Sequence, residues 1–432
     1  IAMIEEFSFE NYKSFKEMNT LNMTAAKLKS KYSRLDVEPI IQQDDDVTLL
    51  KSKGIYGANA SGKSNLVKAF GSFIRIVQHS VKDEQILEKY MTPFYLSTET
   101  VDKPVFMQLV FRCEGVRYRY GFQADKEKIH SEWLYATPGK REQPFFIRDN
   151  DTLNSINKKN FPEGDMVMKL IDNEKGNTIF RKNSLFLTSL AAFGVGKISK
   201  MLLNEISRFM VIDGLKHRGA FEQTTAMLEL PGMKKLVQTF LSMADAGVND
   251  LDTIDLSDET VGESSNLDKK RKIVVALKDV YDADYKLITK MPFPLSLFES
   301  EGTNKMYEIS TFIINALRQG RVLVIDEFDA RFHPLITRKI VELFNSPGNK
   351  NGQLIFVTHD TNLLSADLLR RDQIDFVEKD AYGASHLYTL VQFKGIRDTD
   401  PFEKNYIKGK YGAIPFVGGL NNLFAHFEDA EA

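Results

Sequence analysis

The sequence predicts an α/β fold in which a mixed, largely parallel sheet is joined to an antiparallel β meander and interrupted by a mainly helical insert. Three observations predict it. A strand end, Lys53-Gly54-Ile55-Tyr56, leads through the octet Gly57-Ala58-Asn59-Ala60-Ser61-Gly62-Lys63-Ser64 into an amphipathic stretch opening Asn65-Leu66-Val67-Lys68-Ala69-Phe70. Two later runs, Val322-Leu323-Val324-Ile325 and Leu354-Ile355-Phe356-Val357, are continuously apolar over strand length, as parallel strands buried on both faces are. Between residues 105 and 136, three alternating runs are separated by breaks at 112–115 and 125–128, the spacing of an antiparallel meander.

The elements follow in order. Met3-Ile4-Glu5-Glu6-Phe7-Ser8-Phe9 alternates as a strand does, and Asn11-Tyr12-Lys13-Ser14-Phe15 turns the chain back. Residues 20–48 carry Lys27, Lys29, Lys31 and Arg34, then Asp44-Asp45-Asp46, and read as a solvated loop. Residues 197–210 and 233–246 have helical periodicity, residues 253–272 form a polar loop, and residues 273–280 read as a strand. A helix is expected over residues 305–319. The resulting division is 3–150, an insert at 151–290, and 291–432.

Composition bounds the function. The chain has 432 residues, of which 43% are hydrophobic and 27% charged, enough for a large core. Its 57 basic and 59 acidic residues leave a net charge of −2, which gives no support to a global grip on nucleic acid or membrane. Cys113 is the only cysteine, so an internal disulfide and a cysteine-based zinc site are both excluded. A reducing, cytoplasmic setting is the expectation, with no apolar run long enough to span a bilayer.

The octet satisfies every required position of the phosphate-binding loop G-x-x-x-x-G-K-[ST]. Its glycines let N–H groups turn around a polyphosphate, Lys63 can reach the β- and γ-phosphates, and the Ser64 hydroxyl can ligate Mg²⁺. The apolar run 322–325 ends in Asp326-Glu327. Asp326 would hold Mg²⁺ through a water, and Glu327 would polarise the attacking water as general base. Residues 353–357 end in Thr358-His359-Asp360, placing a histidine where it could sense the γ-phosphate. Ser300-Glu301-Gly302-Thr303 opens the helix at 305–319, and spacing alone leaves simple capping and anion binding equally open.

These residues together resemble the ABC-type ATPase heads of the SMC and RecF class. They resemble more closely still the AAA-type ATPases of the abortive-infection L and RloA group of bacterial antiphage proteins. The motifs that carry the resemblance are Tyr56 to Asn65, Ser300 to Thr303, Val324 to Asp329 with His333-Pro334, the run Ser131-Glu132-Trp133-Leu134-Tyr135, and Tyr411-Gly412-Ala413-Ile414-Pro415. The resemblance implies an ABC-type P-loop ATPase head that closes as a homodimer, or higher homo-oligomer, over two ATP molecules with Mg²⁺. Ser300, Glu301, Gly302 and Thr303 would then complete the partner's site, and Asp329 would take the D-loop position. Asn65 and Lys13 join the nucleotide-binding set, with Lys13 and Ser14 on a turn that touches nucleotide in related heads. A glutamine linking Mg²⁺ to the insert is expected, with Gln108, Gln123 and Gln143 as undistinguished candidates.

The function this implies is an ATP-hydrolysing switch that restrains or releases an effector protein, a nuclease or toxin, encoded nearby. A RecF-like DNA-binding ATPase is the alternative reading, which keeps a nucleic-acid partner open. A nuclease of the OLD type would need a metal-binding domain after His359, which Glu378, Asp398 and Asp400 mimic only superficially, at short spacing.

Overall fold

The structure is a computed structural model that describes every residue except 45–46, 172–180, 195, 215–218, 245–246, 249, 257–270, 398 and 416–432. The chain opens with β1 (Ala2–Glu10), β2 (Asn19–Asn22), a short hairpin of β3 (Ile40–Gln42) and β4 (Thr48–Leu50), and β5 (Ser52–Tyr56). Then come α1 (Lys63–His79) and α2 (Ile86–Tyr90), followed by β6 (Val105–Cys113), β7 (Val116–Ala124), β8 (Ile129–Thr137), β9 (Gln143–Asp149) and β10 (Thr152–Ile156). Helices α3 (Pro162–Ile171), α4 (Phe186–Ala192) and α5 (Ile198–Ile206) lead to β11 (Met210–Asp213), α6 (Ala220–Met227) and α7 (Met233–Met243). Next are β12 (Leu251–Leu256), β13 (Arg271–Tyr281), β14 (Leu287–Pro294), α8 (Leu295–Phe298) and α9 (Glu301–Gln319). The chain continues through β15 (Val322–Asp326), α10 (Pro334–Asn345), β16 (Gln353–Val357), β17 (Ile374–Lys379), β18 (Ser385–Thr389) and α11 (Phe402–Ile407).

Among the described residues, two sheets dominate. An antiparallel sheet runs in the order β10-β9-β8-β7-β6-β1-β2, so the expected meander is present and is extended at both ends. The second sheet runs β11-β15-β16-β5-β17-β18, parallel throughout except for the antiparallel edge strand β18. Every residue of β5, β15 and β16 is buried, as their unbroken apolar runs require of parallel strands.

The helix α1 lies between these sheets. Its Phe70 meets Phe7 of β1 edge-on at 5.1 Å, and Phe73 stacks on Phe122 of β7 at 5.6 Å. Ile55, Val324 and Ile355 belong to the same buried cluster from the parallel side. On the far face, α9 and α10 pack through Phe312, Ile313, Val341 and Phe344 against Leu323, Leu354 and Phe356. Gln353 staples the two sheets together: its carbonyl accepts from Ile4 N at 2.7 Å, and its amide donates to the Ile4 and Leu50 carbonyls at 3.1 Å.

The structure corrects several local expectations. Helical periodicity at 197–210 ends as α5 at Ile206, and Met210 instead opens β11, which pairs in parallel with β15. Three apolar residues before an acid carry no usable period, so a tertiary partner decides their state. The insert therefore holds strands as well as helices: β12, β13 and β14 form a separate antiparallel sheet over α7 and α9. Of the polar loop expected at 253–272, the start belongs to β12 and the end to β13, and residues 257–270 lie outside the described residues. The solvated loop expected at 20–48 contains the β3–β4 hairpin and is tied down where Arg370 donates to the Ala26 carbonyl at 2.8 Å. Lys27, Lys29 and Lys31 on it are exposed. Among the described residues, no helix is long and apolar enough to cross a membrane.

Candidate functional site

The parallel sheet places its chemistry at the carboxyl ends of adjacent strands, where open α/β sheets bind ligands. Between β5 and α1 the octet forms a tight loop. Gly57 has φ of 157°, and a Cβ there would lie 2.3 Å from the Val377 carbonyl oxygen of β17. Gly62 has φ of 117°, and its Cβ would lie 2.3 Å from Ser385 Oγ. Only glycine fits at either position. Asn59, Ala60, Ser61, Gly62, Lys63, Ser64 and Asn65 line a cavity of about 470 Å³, together with Glu327, His359 and Lys379.

Four features of this cradle fit a polyphosphate with Mg²⁺. The N–H groups of Lys63 and Ser64 open α1 with no preceding helical turn to supply a carbonyl, and the Gly62 N-cap has no side chain to cap them. Ser61 Oγ is buried without a hydrogen-bond partner among the described residues. The Lys63 ammonium donates to the Gly57 and Ala58 carbonyls at 2.7 and 2.8 Å, which holds it inside the loop. Burial lowers its pKa to about 8, against the opposing pull of Glu327, Asp326 and Asp329. The Ser64 hydroxyl lies near enough to the Asp326 carboxylate to draw its pKa down against burial, so both expected Mg²⁺ ligands share one location. Among the described residues, no cluster of three or more His, Cys, Asp or Glu makes a cage. Mg²⁺ at phosphate sites is characteristically held by one or two protein groups plus the substrate's oxygens.

Asp326 and Glu327 both have raised pKa values. For each, burial is the largest cause, with Asp213 adding repulsion; Asp326 and Asp329 also push Glu327 up. Glu327 sits at φ of 51°, a left-handed conformation that is rare outside glycine and recurs at functional positions. His359 is exposed, and its pKa is lowered by partial burial and then by Lys63, which keeps the ring neutral near pH 7. Asp329 Oδ1 accepts from Thr358 Oγ1 at 2.6 Å and from His359 N at 3.1 Å. The residue expected in the D-loop thus locks the end of β15 to the end of β16 within its own chain.

Other expected residues lie elsewhere. Ser300 caps α9, its Oγ accepting from Thr303 N at 3.1 Å. Glu301 pairs with Arg331 at 3.3 Å, and a Cβ on Gly302 would lie 2.9 Å from the Arg331 carbonyl oxygen. Hence Ser300, Glu301, Gly302 and Thr303 pack on the segment after Asp329 and do not line the cavity. Lys13, at φ of 51°, lies over the Tyr12 ring and also outside the cavity lining. Its neighbour Ser14 does reach the loop, accepting from Asn65 Nδ2 at 2.9 Å.

None of the three glutamine candidates lines the cavity. Gln108 accepts from Trp133 Nε1 at 3.0 Å, Gln123 from Ser131 Oγ at 3.3 Å, and Gln143 from Asn160 Nδ2 at 2.8 Å. Of the residues that would mimic a nuclease centre, Glu378 receives the Tyr388 hydroxyl and Asp400 receives Arg397 N. Asp398 lies outside the described residues.

Sequence reasoning missed three contributors. Asp213 ends β11 directly opposite Asp326 in the parallel register. The tripeptide Val211-Ile212-Asp213 repeats Val324-Ile325-Asp326, a signal the sequence does carry. Ser385 pins the loop from β18, donating to the Ser61 carbonyl at 2.6 Å and sharing a hydroxyl–hydroxyl hydrogen bond with Ser14 Oγ at 2.9 Å. Lys379 enters the cavity from the last position of β17. Nothing local in the sequence marks either of these two, since both depend on β17 lying beside β5 and carrying β18 on its outer edge.

The chain is similar over most of its length to the SMC head domain from Thermotoga maritima, at 12% identity and a TM-score of 0.41, covering 89% of this chain and 98% of that one. It is also similar to an Smc head bound to the C-terminal winged-helix domain of ScpA, at 11% identity and a TM-score of 0.45, covering 89% and 97%. A third is an Smc head domain with an extended coiled coil bound to the C-terminal domain of ScpA from Pyrococcus furiosus, at 13% and 0.41, covering 90% and 96%. No curated protein matches the chain in sequence. One family model matches residues 54–184 and 230–365, spanning the phosphate loop, Ser300 to Thr303, Asp326-Glu327 and His359, and the chain belongs to that family, described as "AAA domain, putative AbiEii toxin, Type IV TA system".

Proposed function

We propose that the protein binds and hydrolyses ATP, closes as a homodimer over two ATP molecules, and acts in the cytoplasm as a regulatory switch on an effector, a nuclease or toxin, in bacterial antiphage defence. The motif resemblance to the abortive-infection L and RloA group supports the biological part of this reading. The observation that carries the chemical part is the meeting of Lys63, Ser64, Glu327 and His359 on one cavity, with Asp326 beside Ser64.

In this reading the loop N–H groups and the Lys63 ammonium bind the polyphosphate, and Ser64 and Asp326 hold Mg²⁺. The metal, when bound, neutralises charge that builds on the phosphate oxygens. Glu327 accepts a proton from the attacking water, a role its raised pKa suits. His359, neutral and fixed to Asp329 through its backbone, donates toward the terminal phosphate. Ser300 and Gly302 contact the partner subunit's nucleotide, and Asp329 couples the two sites. The shape change passes from the head segments 3–150 and 291–432 into the insert 151–290. The joint is α9, whose buried Lys305 donates to the Asp213 carbonyl at 3.4 Å and pairs with Glu308 at 3.2 Å.

The test is Glu327→Gln. Hydrolysis is expected to fall about 10²–10⁴-fold, the usual size of a general-base contribution. ATP binding should persist, and light scattering should show an ATP-stabilised dimer. Unchanged turnover would remove Glu327 from the role of base.

A further inference from the structure

Lys379 is the one lysine besides Lys63 that lines the phosphate cavity among the described residues. Its acidic neighbours are turned to other tasks. Glu378, on the opposite face of the pleat, receives the Tyr388 hydroxyl at 3.3 Å. Asp380 accepts the N–H groups of Tyr382 and Ala384, each at 2.9 Å, and holds His386 at 3.0 Å. Lys379 itself is exposed and makes no hydrogen bond or ion pair with any described residue. A strand end that spends its carboxylates internally thus leaves one cation facing the site.

The strand under Lys379 is tied to the phosphate loop. Lys379 pairs in register with Ser385, whose hydroxyl is bonded to the Ser61 carbonyl and to Ser14. The Val377 carbonyl stands where a side chain on Gly57 would have to go, so β17 is packed directly on the phosphate loop.

Sheet order sets what the cation can reach. The strands β15, β16, β5 and β17 present, in sequence across the sheet, Asp326-Glu327, His359, the phosphate loop and Lys379. A triphosphate whose terminal phosphate sat at Glu327 and His359 would cross the loop with its other end toward β17. We infer that Lys379 is a second phosphate-binding cation of this site, acting on the end of the polyphosphate remote from Glu327, and so on ADP as much as on ATP. The inference rests on the ATP-binding reading above.

Titration calorimetry with ADP and with ATP, on wild-type protein and on Lys379→Ala and Lys379→Arg, tests it. Lys379→Ala is expected to weaken both nucleotides alike, by about three- to tenfold, the size of one solvent-accessible charge-assisted contact. Lys379→Arg should recover most of the affinity, and the weakening should shrink with added salt. Because the side chain is exposed, the melting temperature should not move. Unchanged affinity in Lys379→Ala, or a loss confined to ATP, would overturn the inference. Failure of the wild-type protein to bind either nucleotide would instead overturn the ATP reading beneath it.

Discussion

The same burial shifts the pKa values of Lys63 and Glu327 in opposite directions. Removing water from around them disfavours both charges, so the lysine pKa falls to about 8 and the carboxyl pKa rises, with the neighbouring acids adding to the second shift. The direction for the lysine fixes a pH dependence. Below about 8 the free site carries the ammonium, and an incoming anion meets a cation already charged. Above that value, binding must first take up a proton, so nucleotide affinity should weaken by up to about tenfold per pH unit. Calorimetry in buffers of differing ionisation enthalpy, from pH 6.5 to 9.5 in steps, should show proton uptake growing through this range. A flat affinity profile would mean that Lys63 does not contact the bound anion. The sequence made both residues legible because the phosphate loop and the acidic strand end are local patterns. Their pKa shifts were not legible, since desolvation belongs to the packed site.

At the scale of elements, a buried network fastens the meander to the helices that pack on α1. Glu132, in the middle of β8, is fully buried. It accepts from Phe186 N at 2.6 Å and Leu187 N at 3.0 Å at the start of α4, and from the Tyr120 hydroxyl at 2.9 Å. Arg148 of β9 lies 3.4 Å away and donates to the Ser184 carbonyl at 2.7 Å. Glu132→Ala strips acceptors from two helix N–H groups and leaves Arg148 without its buried counter-charge. A loss of about 3–5 kcal/mol is expected, read from urea unfolding midpoints. Glu132→Gln keeps an acceptor and should cost less; equal losses would place the damage in the charge alone. The run Ser131 to Tyr135 reads in the sequence as the end of the meander and as part of a resemblance, and the task of Glu132 appears only once β8 and α4 are side by side. The short β11 shows the same limit from the other direction, because its state depends on a partner strand more than a hundred residues away.

For the whole molecule, the decisive arrangement is the separation of Ser300 to Thr303 from the cavity of their own chain. The helix they open is long, amphipathic and well capped, and it ends at Gly320 in the left-handed conformation. Its N-terminus packs on the Arg331 segment, on the surface that also carries Glu301. If this turn serves a second copy, Ser300→Arg should abolish ATP hydrolysis and ATP-dependent dimerisation while monomer ATP affinity stays within about twofold. Loss of monomer binding as well would exclude the shared-site reading. What the sequence by itself determined is the α/β class, the phosphate loop, the acidic strand end and the meander, because each is written in residues close together in the chain. What only the tertiary structure decided is the order of the strands across the β5 sheet. That order brought Asp213 beside Asp326, Ser385 onto the loop and Lys379 into the cavity. Parallel pairing joins strands distant in sequence, and no local pattern encodes the choice of neighbour.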